Sequence, residues 1–106
     1  MIELNRDNYE DETGQSGQPV LVDFWGDKCG PCMALMPAVE KMEEEYSGRL
    51  KVTKVNAYEN RMLCARLRVL GLPTYIVYKD GDEVTRITGE QTTITEIKAA
   101  VEAALA

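Results

Sequence analysis

The sequence predicts a three-layer α/β protein with a central mixed sheet flanked by helices. The nearly continuous β-branched and aromatic run at 19–25 is typical of a strand covered on both faces. Helical periodicity at 32–46 and 93–105, and a hairpin signal at 79–82, indicate that helices alternate with further strands. Because 106 residues is the size of one domain, we expect a single domain over 1–106.

The first element is a weakly supported helix. Asn5 is placed to cap a short helix over 7–12, but Tyr9 is the one large apolar anchor of that stretch. We therefore expect residues 5–17 to be loosely docked, with a loop at 14–17 leading to the first long strand.

A strand at 19–25 and a helix at about 32–46 come next. Asp23 is the one charged residue in the apolar strand. The helix repeats apolar side chains at three- and four-residue intervals and ends before Ser47-Gly48. It contains Pro37, where we expect a kink.

The remaining elements continue the alternation. They are a strand at 51–55, a short helix at 61–67, strands at 74–78 and 83–88 joined by a turn at 79–82, and a last helix opened by the capping-box pattern Thr93-Ile94-Thr95-Glu96. Because helices separate the earlier strands, we expect those strands to pair in parallel. The final hairpin predicts an antiparallel edge.

Composition excludes several classes of function. A formal net charge of −6 opposes binding to nucleic-acid phosphates and does not favour an anionic membrane surface. With no His, the chain lacks a Ser-His or Cys-His catalytic pair and any His-liganded metal. The acidic N-terminus has no signal-peptide pattern, and no apolar run is long enough for a membrane helix, so we expect a cytoplasmic protein.

Two of the 3 cysteines form the motif Cys29-Gly30-Pro31-Cys32 between a predicted buried strand and a helix. This context is typical of a redox dithiol. A helix N-terminus favours negative charge, and therefore the thiolate of Cys29. We expect Cys29 to attack a substrate disulfide and Cys32 to resolve the mixed disulfide, without a metal or organic cofactor. The alternatives are a structural zinc site, for which one further Cys and no His are present, and a dithiol without a redox role.

Several segments together resemble the thioredoxin family. They are Val22-Asp23-Phe24-Trp25, Cys29-Gly30-Pro31-Cys32, Lys54-Val55-Asn56, Gly71-Leu72-Pro73-Thr74 and Gly81, in this order. The resemblance covers about residues 18–105 and implies a thioredoxin-like fold and general protein-disulfide reduction. It also implies oxidised proteins as substrates and a thioredoxin reductase as electron source; we expect a monomer.

The resemblance implies roles for individual residues. Asp23 is similar to the family's buried acid beneath the dithiol, which helps to move the proton of Cys32, and Lys54 is similar to its partner. Leu72-Pro73 matches the cis-proline peptide that faces the disulfide. The residues expected at the substrate surface are Trp25, Lys28, Gly30, Pro31, Leu72, Pro73, Thr74, Thr88 and Gly89.

The residues considered without the resemblance leave alternatives open. Asp23 is either a proton acceptor with a raised pKa or a salt-bridged structural residue. The side chain of a Lys in a strand, such as Lys54, is commonly solvated without a specific role. Without the resemblance, Pro73 would be expected to be an ordinary trans proline at the start of a strand. Cys64 is either a small core hydrophobe or a regulatory or dimer-forming thiol.

The active-site motif departs from the family at both flanks. The family usually has Trp before the first Cys and Lys or Arg after the second, whereas this chain has Lys28 and Met33. Either Lys28 favours the thiolate and lowers the pKa of Cys29 relative to a Lys28→Trp variant, or it points into water and changes only substrate preference. The departures keep open a specialised electron donor to one metabolic reductase, and a non-catalytic binding module.

Charge is unevenly distributed along the chain. Residues 49–68 carry six Lys or Arg and one Glu, although the whole chain is acidic. This segment is either a solvated face or a docking surface for an acidic partner.

Overall fold

The computed structural model describes residues 1–14 and 17–106. The elements in chain order are β1 (Ile2–Glu3), α1 (Tyr9–Thr13), β2 (Val20–Trp25), α2 (Gly30–Glu45), β3 (Lys51–Asn56), α3 (Arg61–Arg66), β4 (Thr74–Lys79), β5 (Asp82–Thr88) and α4 (Ile94–Leu105). The loop expected at 14–17 lies partly outside the described residues. All other expected elements are present, and β1 is an addition.

The described residues form a five-stranded mixed sheet in the order β1-β3-β2-β4-β5. β3 is parallel to β1 and β2, whereas β4 is antiparallel to β2 and β5. Apolar residues of α2 and α4 pack on one face, and those of α1 and α3 pack on the other. The predicted three-layer arrangement is therefore confirmed.

The expectation of parallel pairing is wrong for β4. Its first residue, Thr74, pairs with Phe24 near the end of β2, so the chain re-enters the sheet at the edge where β2 and β3 end. A six-residue helix such as α3 spans about 9 Å, whereas a six-residue strand spans about 20 Å. Because α3 is too short to carry the chain back along the sheet, β4 runs in the opposite direction.

This topology gathers the connections that carry the predicted site. The β2–α2 loop, the β3–α3 loop, the entry to β4 and the end of β5 all lie at one edge of the sheet. α2 begins at this edge with Gly30 and continues through Pro37 to Glu45.

The prediction that the N-terminal helix is loosely docked is wrong. Tyr9 is 3 % exposed, and its ring contacts the rings of Phe24 and Tyr78. Its hydroxyl is hydrogen-bonded to the Tyr78 hydroxyl at 2.7 Å. The Asn5 side chain accepts the backbone N–H of Asp7 at 2.8 Å, which fixes the turn before α1. The Lys51 ammonium of β3 also bonds Glu12 of α1 at 2.6 Å, so α1 is docked by contacts with segments far away in the sequence.

The last helix begins as its sequence predicts. The Thr93 hydroxyl accepts the backbone N–H of Glu96 at 3.2 Å and caps α4. Ile97 and Val101 are buried against the α2 face of the sheet. None of the helices among the described residues is long and apolar enough to cross a membrane.

Candidate active site

The two motif cysteines form a disulfide where β2 leads into α2. Cys29 is the N-cap of α2 and is partly exposed, whereas Cys32 is 0 % exposed in the first turn of the helix. The backbone N–H of Cys32 donates to the Cys29 sulfur at 3.2 Å. The first sulfur therefore takes the place of the capping oxygen that Ser or Asp supplies in other helices.

This position stabilises negative charge on Cys29 in the reduced protein. The unpaired N–H groups and the macrodipole of α2 are directed at its sulfur. Pro31 occupies the start of α2, where its missing N–H removes no hydrogen bond from the helix. The motif thus places the Cys29 sulfur at a helix N-terminus, where negative charge is stabilised.

Asp23 lies on the sheet face covered by α2. It alternates with Val22 and Phe24, which face the other core, and is 0 % exposed. Neither carboxylate oxygen has a hydrogen-bond partner among the described residues. Burial raises the pKa of Asp23 from 3.8 to about 7, and the opposing effect of the Lys54 charge is smaller. The carboxyl group is therefore set to exchange a proton near neutral pH.

Lys54 is the register partner of Asp23 on β3, but its ammonium group is directed elsewhere. Its Nζ lies 3.6 Å from a carboxylate oxygen of Glu3 and 5.5 Å from the centre of the Trp25 ring. The salt-bridged alternative for Asp23 is thus absent from the described residues. The positive charge of Lys54 lowers the pKa of Asp23 by electrostatic attraction, without a direct ion pair.

The predicted substrate residues of β4 and β5 lie side by side. The Leu72–Pro73 peptide bond is cis, as the resemblance implies. The backbone N–H of Gly89 donates to the Pro73 carbonyl oxygen at 3.0 Å, and the Thr74 and Thr88 hydroxyls are 3.1 Å apart. Gly89 has a φ of +126°, which favours glycine at this position. The two segments therefore pack against each other, with Thr88 exposed, whereas Thr74 is 0 % exposed and Pro73 is also buried.

Comparison with known proteins adds independent evidence. The family model described as Thioredoxin matches residues 1–103. The chain belongs to the thioredoxin family. A thioredoxin of Acetoanaerobium sticklandii is 42 % identical over 101 residues, which cover 95 % of this chain and 96 % of the relative. A thioredoxin of Peptoclostridium acidaminophilum is 36 % identical, and thioredoxin 1 of Synechococcus elongatus is 38 % identical over 76 % of each chain.

Family and site together establish the activity. This thioredoxin-family protein is a thiol–disulfide oxidoreductase that cycles Cys29 and Cys32 between dithiol and disulfide. Thioredoxins need no cofactor beyond this redox-active disulfide, and they exchange electrons with a reductase and with disulfide substrates. The comparisons do not favour a non-catalytic binding module.

The two flanking departures from the family pattern are both exposed. Lys28 lines a shallow depression with Asp27, Tyr58 and Arg61, and Met33 is 43 % exposed. The effect of Lys28 on the pKa of Cys29 stays a prediction.

The third thiol is placed as a core residue. Cys64 is buried and free, packed in the cluster beneath α3 with Leu63 and Leu67. Burial raises the pKa of the Cys64 thiol, which keeps the thiol protonated and poorly reactive.

Two tyrosines near the site were not anticipated from the sequence. Tyr75 is the register partner of Asp23 on β4, and its buried hydroxyl has no hydrogen-bond partner among the described residues. Burial and the charge of ionised Asp23 both raise the pKa of Tyr75. Tyr58 contacts the active-site loop at Gly26. The hydropathy pattern gives no signal for either contact, because each joins segments distant in the sequence.

Proposed function

We propose that Cys29 is the nucleophile and Cys32 the resolving thiol in the reduction of protein disulfides. The unequal burial of the two residues supports this assignment best. Cys29 is partly exposed at the start of α2, whereas Cys32 is fully enclosed. A disulfide on another protein therefore approaches Cys29 first.

The reaction proceeds in two exchanges. The Cys29 thiolate attacks one sulfur of the substrate disulfide, forming a mixed disulfide and releasing the other substrate sulfur as a thiolate. Cys32 then loses its proton and attacks the Cys29 sulfur, which releases the second substrate thiolate and closes the Cys29–Cys32 disulfide. Two electrons pass from the protein to the substrate.

Asp23 is the proposed acceptor of the Cys32 proton. Its carboxyl group is buried on the face of the sheet beneath α2, and its pKa of about 7 suits proton transfer near neutral pH. Lys54 supports the ionised form through its positive charge. The resolving step is therefore expected to quicken as pH rises through the pKa of Asp23.

The substrate segment is proposed to bind in extended form beside the cis peptide. Gly30 and Pro31 follow the nucleophile, while Leu72 provides the adjoining wall, which the buried Pro73 and Thr74 support from beneath. Thr88 and Gly89 continue this wall, because they are hydrogen-bonded to Thr74 and Pro73. Trp25 and Lys28 complete the proposed surface.

We further propose a single-domain, cytoplasmic monomer that receives its electrons from a thioredoxin reductase. The family match over residues 1–103 supports the single domain. The protein works on oxidised protein substrates, without nucleic-acid or membrane partners and without a metal.

A Cys32→Ser variant tests the assignment of roles. The variant is expected to capture an oxidised substrate such as insulin as a mixed disulfide at Cys29, because the second exchange is blocked. Turnover with dithiothreitol as reductant is expected to fall by at least about a hundredfold. Peptide mapping of the trapped adduct identifies the attacking sulfur.

Cys64→Ser is the matched control and is expected to retain turnover, since Cys64 is a buried free thiol that is not part of the Cys29–Cys32 disulfide. Normal turnover by Cys32→Ser would contradict the mechanism. An adduct mapped to Cys32 in the corresponding Cys29→Ser variant, with none at Cys29 in Cys32→Ser, would reverse the two roles.

A further inference from the structure

The Tyr58 ring lies directly on the active-site loop. Trp25 and Asn56 are register partners at the ends of β2 and β3, and the backbone N–H of Ala57 donates to the Trp25 carbonyl at 2.8 Å. Gly26, which follows Trp25, therefore lies close to the start of the β3–α3 loop. A Cβ on Gly26 would lie 2.7 Å from Cζ of Tyr58 and nearer still to Cε2.

This close approach leaves part of the ring available to a ligand. Tyr58 remains 39 % exposed although one edge covers Gly26. The backbone N–H of Tyr58 donates to the Asn56 side chain at 3.1 Å, which fixes the start of the β3–α3 loop. The ring is thus held in place by its backbone and by the glycine, as a binding platform requires.

Tyr58 lines three depressions, two of which also contain residues of the predicted substrate surface. The first of these two contains Lys28, the residue before the nucleophile. The second is a groove of about 430 Å³, which Tyr58 lines with Leu70, Gly71 and Leu72, next to the cis peptide. The lining of this second groove is mostly apolar but includes the charged Arg61, and Leu70 is 90 % exposed.

The Tyr58 ring supplies an aromatic surface that the active-site motif of this chain lacks. Position 28, where the family usually carries Trp, holds Lys in this chain, so the flat apolar surface beside the nucleophile is missing there. Tyr58 presents an aromatic surface in the same depression as Lys28, but from the β3–α3 loop. An aromatic ring offers large apolar contact area with little loss of conformational entropy.

We infer that Tyr58 is a specificity-determining residue, which binds an apolar or aromatic side chain flanking the cysteine of an extended disulfide substrate. The bound side chain lies in the groove between the Tyr58 ring and Leu70–Leu72. This inference rests on the proposed function and adds a preference among disulfide substrates. The ring, rather than the hydroxyl, makes the contact.

The test uses two symmetric peptide disulfides in single-turnover reactions with the fully reduced protein. The peptides are pentapeptides that differ only in having Phe or Ser on both sides of Cys, and bis(2-hydroxyethyl) disulfide serves as a substrate without flanking residues. Acid-quenched samples give the second-order rate constants by chromatography. The wild-type protein is expected to prefer the Phe peptide.

Tyr58→Ala is expected to lower the rate constant for the Phe peptide by about five- to tenfold. The rate constants for the Ser peptide and bis(2-hydroxyethyl) disulfide are expected to change less than about twofold. Tyr58→Phe is expected to retain the preference. Gly26→Ala is expected to weaken it, because its Cβ displaces the ring.

Two further variants distinguish an effect on substrate binding from an effect on folding. Leu70→Ala removes an exposed side chain from the same groove and is expected to lower the Phe-peptide rate without altering the fold. Val84→Ala removes an exposed side chain from β5 outside this groove and is expected to change none of the rates.

Distinct outcomes overturn distinct claims. An unchanged Phe preference in Tyr58→Ala, or an equal loss for all three substrates, overturns the inference while leaving the reductase function in place. An equal loss would mean that Tyr58 only supports the active-site loop. Failure of the wild-type protein to reduce any of these disulfides overturns the proposed function and this inference with it.

Discussion

Asp23 shows how one buried carboxyl group couples stability to function. In an apolar strand a charge is costly, and the carboxylate has no hydrogen bond among the described residues to offset that cost. The folded protein therefore holds a proton on Asp23 up to a pKa of about 7, whereas the unfolded chain releases it near pH 4. Burial of this carboxyl group therefore costs stability at pH values above about 4, where the unfolded chain is ionised.

We predict that Asp23→Asn stabilises the oxidised protein at neutral pH. Below about pH 4 both states of the wild-type protein carry the proton and the two proteins should be similarly stable. As pH rises to about 7 only the unfolded wild-type chain ionises, so its stability falls. The difference is expected to approach about 4 kcal/mol and then to level off. Urea denaturation across this pH range measures it.

Asp27→Asn is the matched control, because it removes an exposed carboxylate from the loop that follows β2. It is expected to change the free energy of unfolding by less than about 0.5 kcal/mol. A stability difference for Asp23→Asn that does not vary between acidic and neutral pH would mean that Asp23 is not protonated in the folded state.

At the scale of elements, a buried hydroxyl pair holds α1 on the sheet. The Tyr9 and Tyr78 hydroxyls bond each other at 2.7 Å beneath the helix, and Tyr9 packs on Phe24. Each hydroxyl satisfies the other in a region without water access. A five-residue helix is too short to be stable alone, so its docking depends on tertiary contacts such as this pair and the Lys51–Glu12 ion pair.

We predict non-additive effects of Phe substitutions at this pair. Tyr9→Phe or Tyr78→Phe alone leaves one buried hydroxyl unpaired and is expected to destabilise the protein by about 1–3 kcal/mol. The double variant leaves neither unpaired and is expected to lose less than the sum of the single losses. Urea denaturation of all four proteins completes the cycle.

Tyr75→Phe provides the contrast, since the Tyr75 hydroxyl already lacks a hydrogen-bond partner among the described residues. Its removal is expected to be neutral or stabilising. Additive losses in the Tyr9 and Tyr78 cycle would show that the hydroxyls are not coupled.

The elements that the sequence predicted correctly are those with local signals. α2 and α4 carry helical periodicity, and Thr93 caps the latter. β1 has two exposed residues and no alternation, so only its pairing with β3 defines it. The direction of β4 and the docking of α1 depend on contacts between distant segments, which periodicity does not report.

At the scale of the whole molecule, the fold divides the basic residues of segment 49–68 into two groups. One group forms ion pairs, and the other is exposed. Lys51 and Lys54 form ion pairs with Glu12 and Glu3, from the N-terminal acidic segment. Arg61, Arg66 and Arg68 are exposed on or just after α3. The basic character at the surface is therefore concentrated near α3, which adjoins the apolar groove containing Leu72.

We predict that the reductase binds this basic region. With an NADPH-linked thioredoxin reductase, KM for the oxidised protein is expected to rise about threefold or more with increasing NaCl, while kcat changes little. Replacing Arg61, Arg66 and Arg68 together by Gln is expected to flatten this salt dependence. Steady-state kinetics at several salt concentrations measures both effects.

Reduction of the Cys29–Cys32 disulfide by uncharged dithiothreitol is the control and should not share the salt dependence. A KM independent of salt, in both wild-type and substituted proteins, would favour a merely solvated face.

The site itself was predictable where the motif carries the chemistry. Cys29, Cys32 and Asp23 were identifiable because a dithiol before a helix and a carboxylate inside an apolar strand are each unusual. Pro73 and Gly89 reach the end of the sheet where β2 leads into α2, because β4 runs antiparallel to β2 and β5. Tyr58 could not be anticipated, because only the pairing of the β2 and β3 ends brings it to Gly26.

Trp25 gives the molecule a built-in optical reporter. It is the only tryptophan of the chain, and it lies at the end of β2 with the Lys54 ammonium 5.5 Å from its ring centre. All tryptophan fluorescence therefore comes from a single ring at the start of the β2–α2 connection, which leads to the disulfide. Opening and closing of the sulfur bridge, and ionisation of the neighbouring strand residue Asp23, can thus be followed by emission from the unlabelled protein.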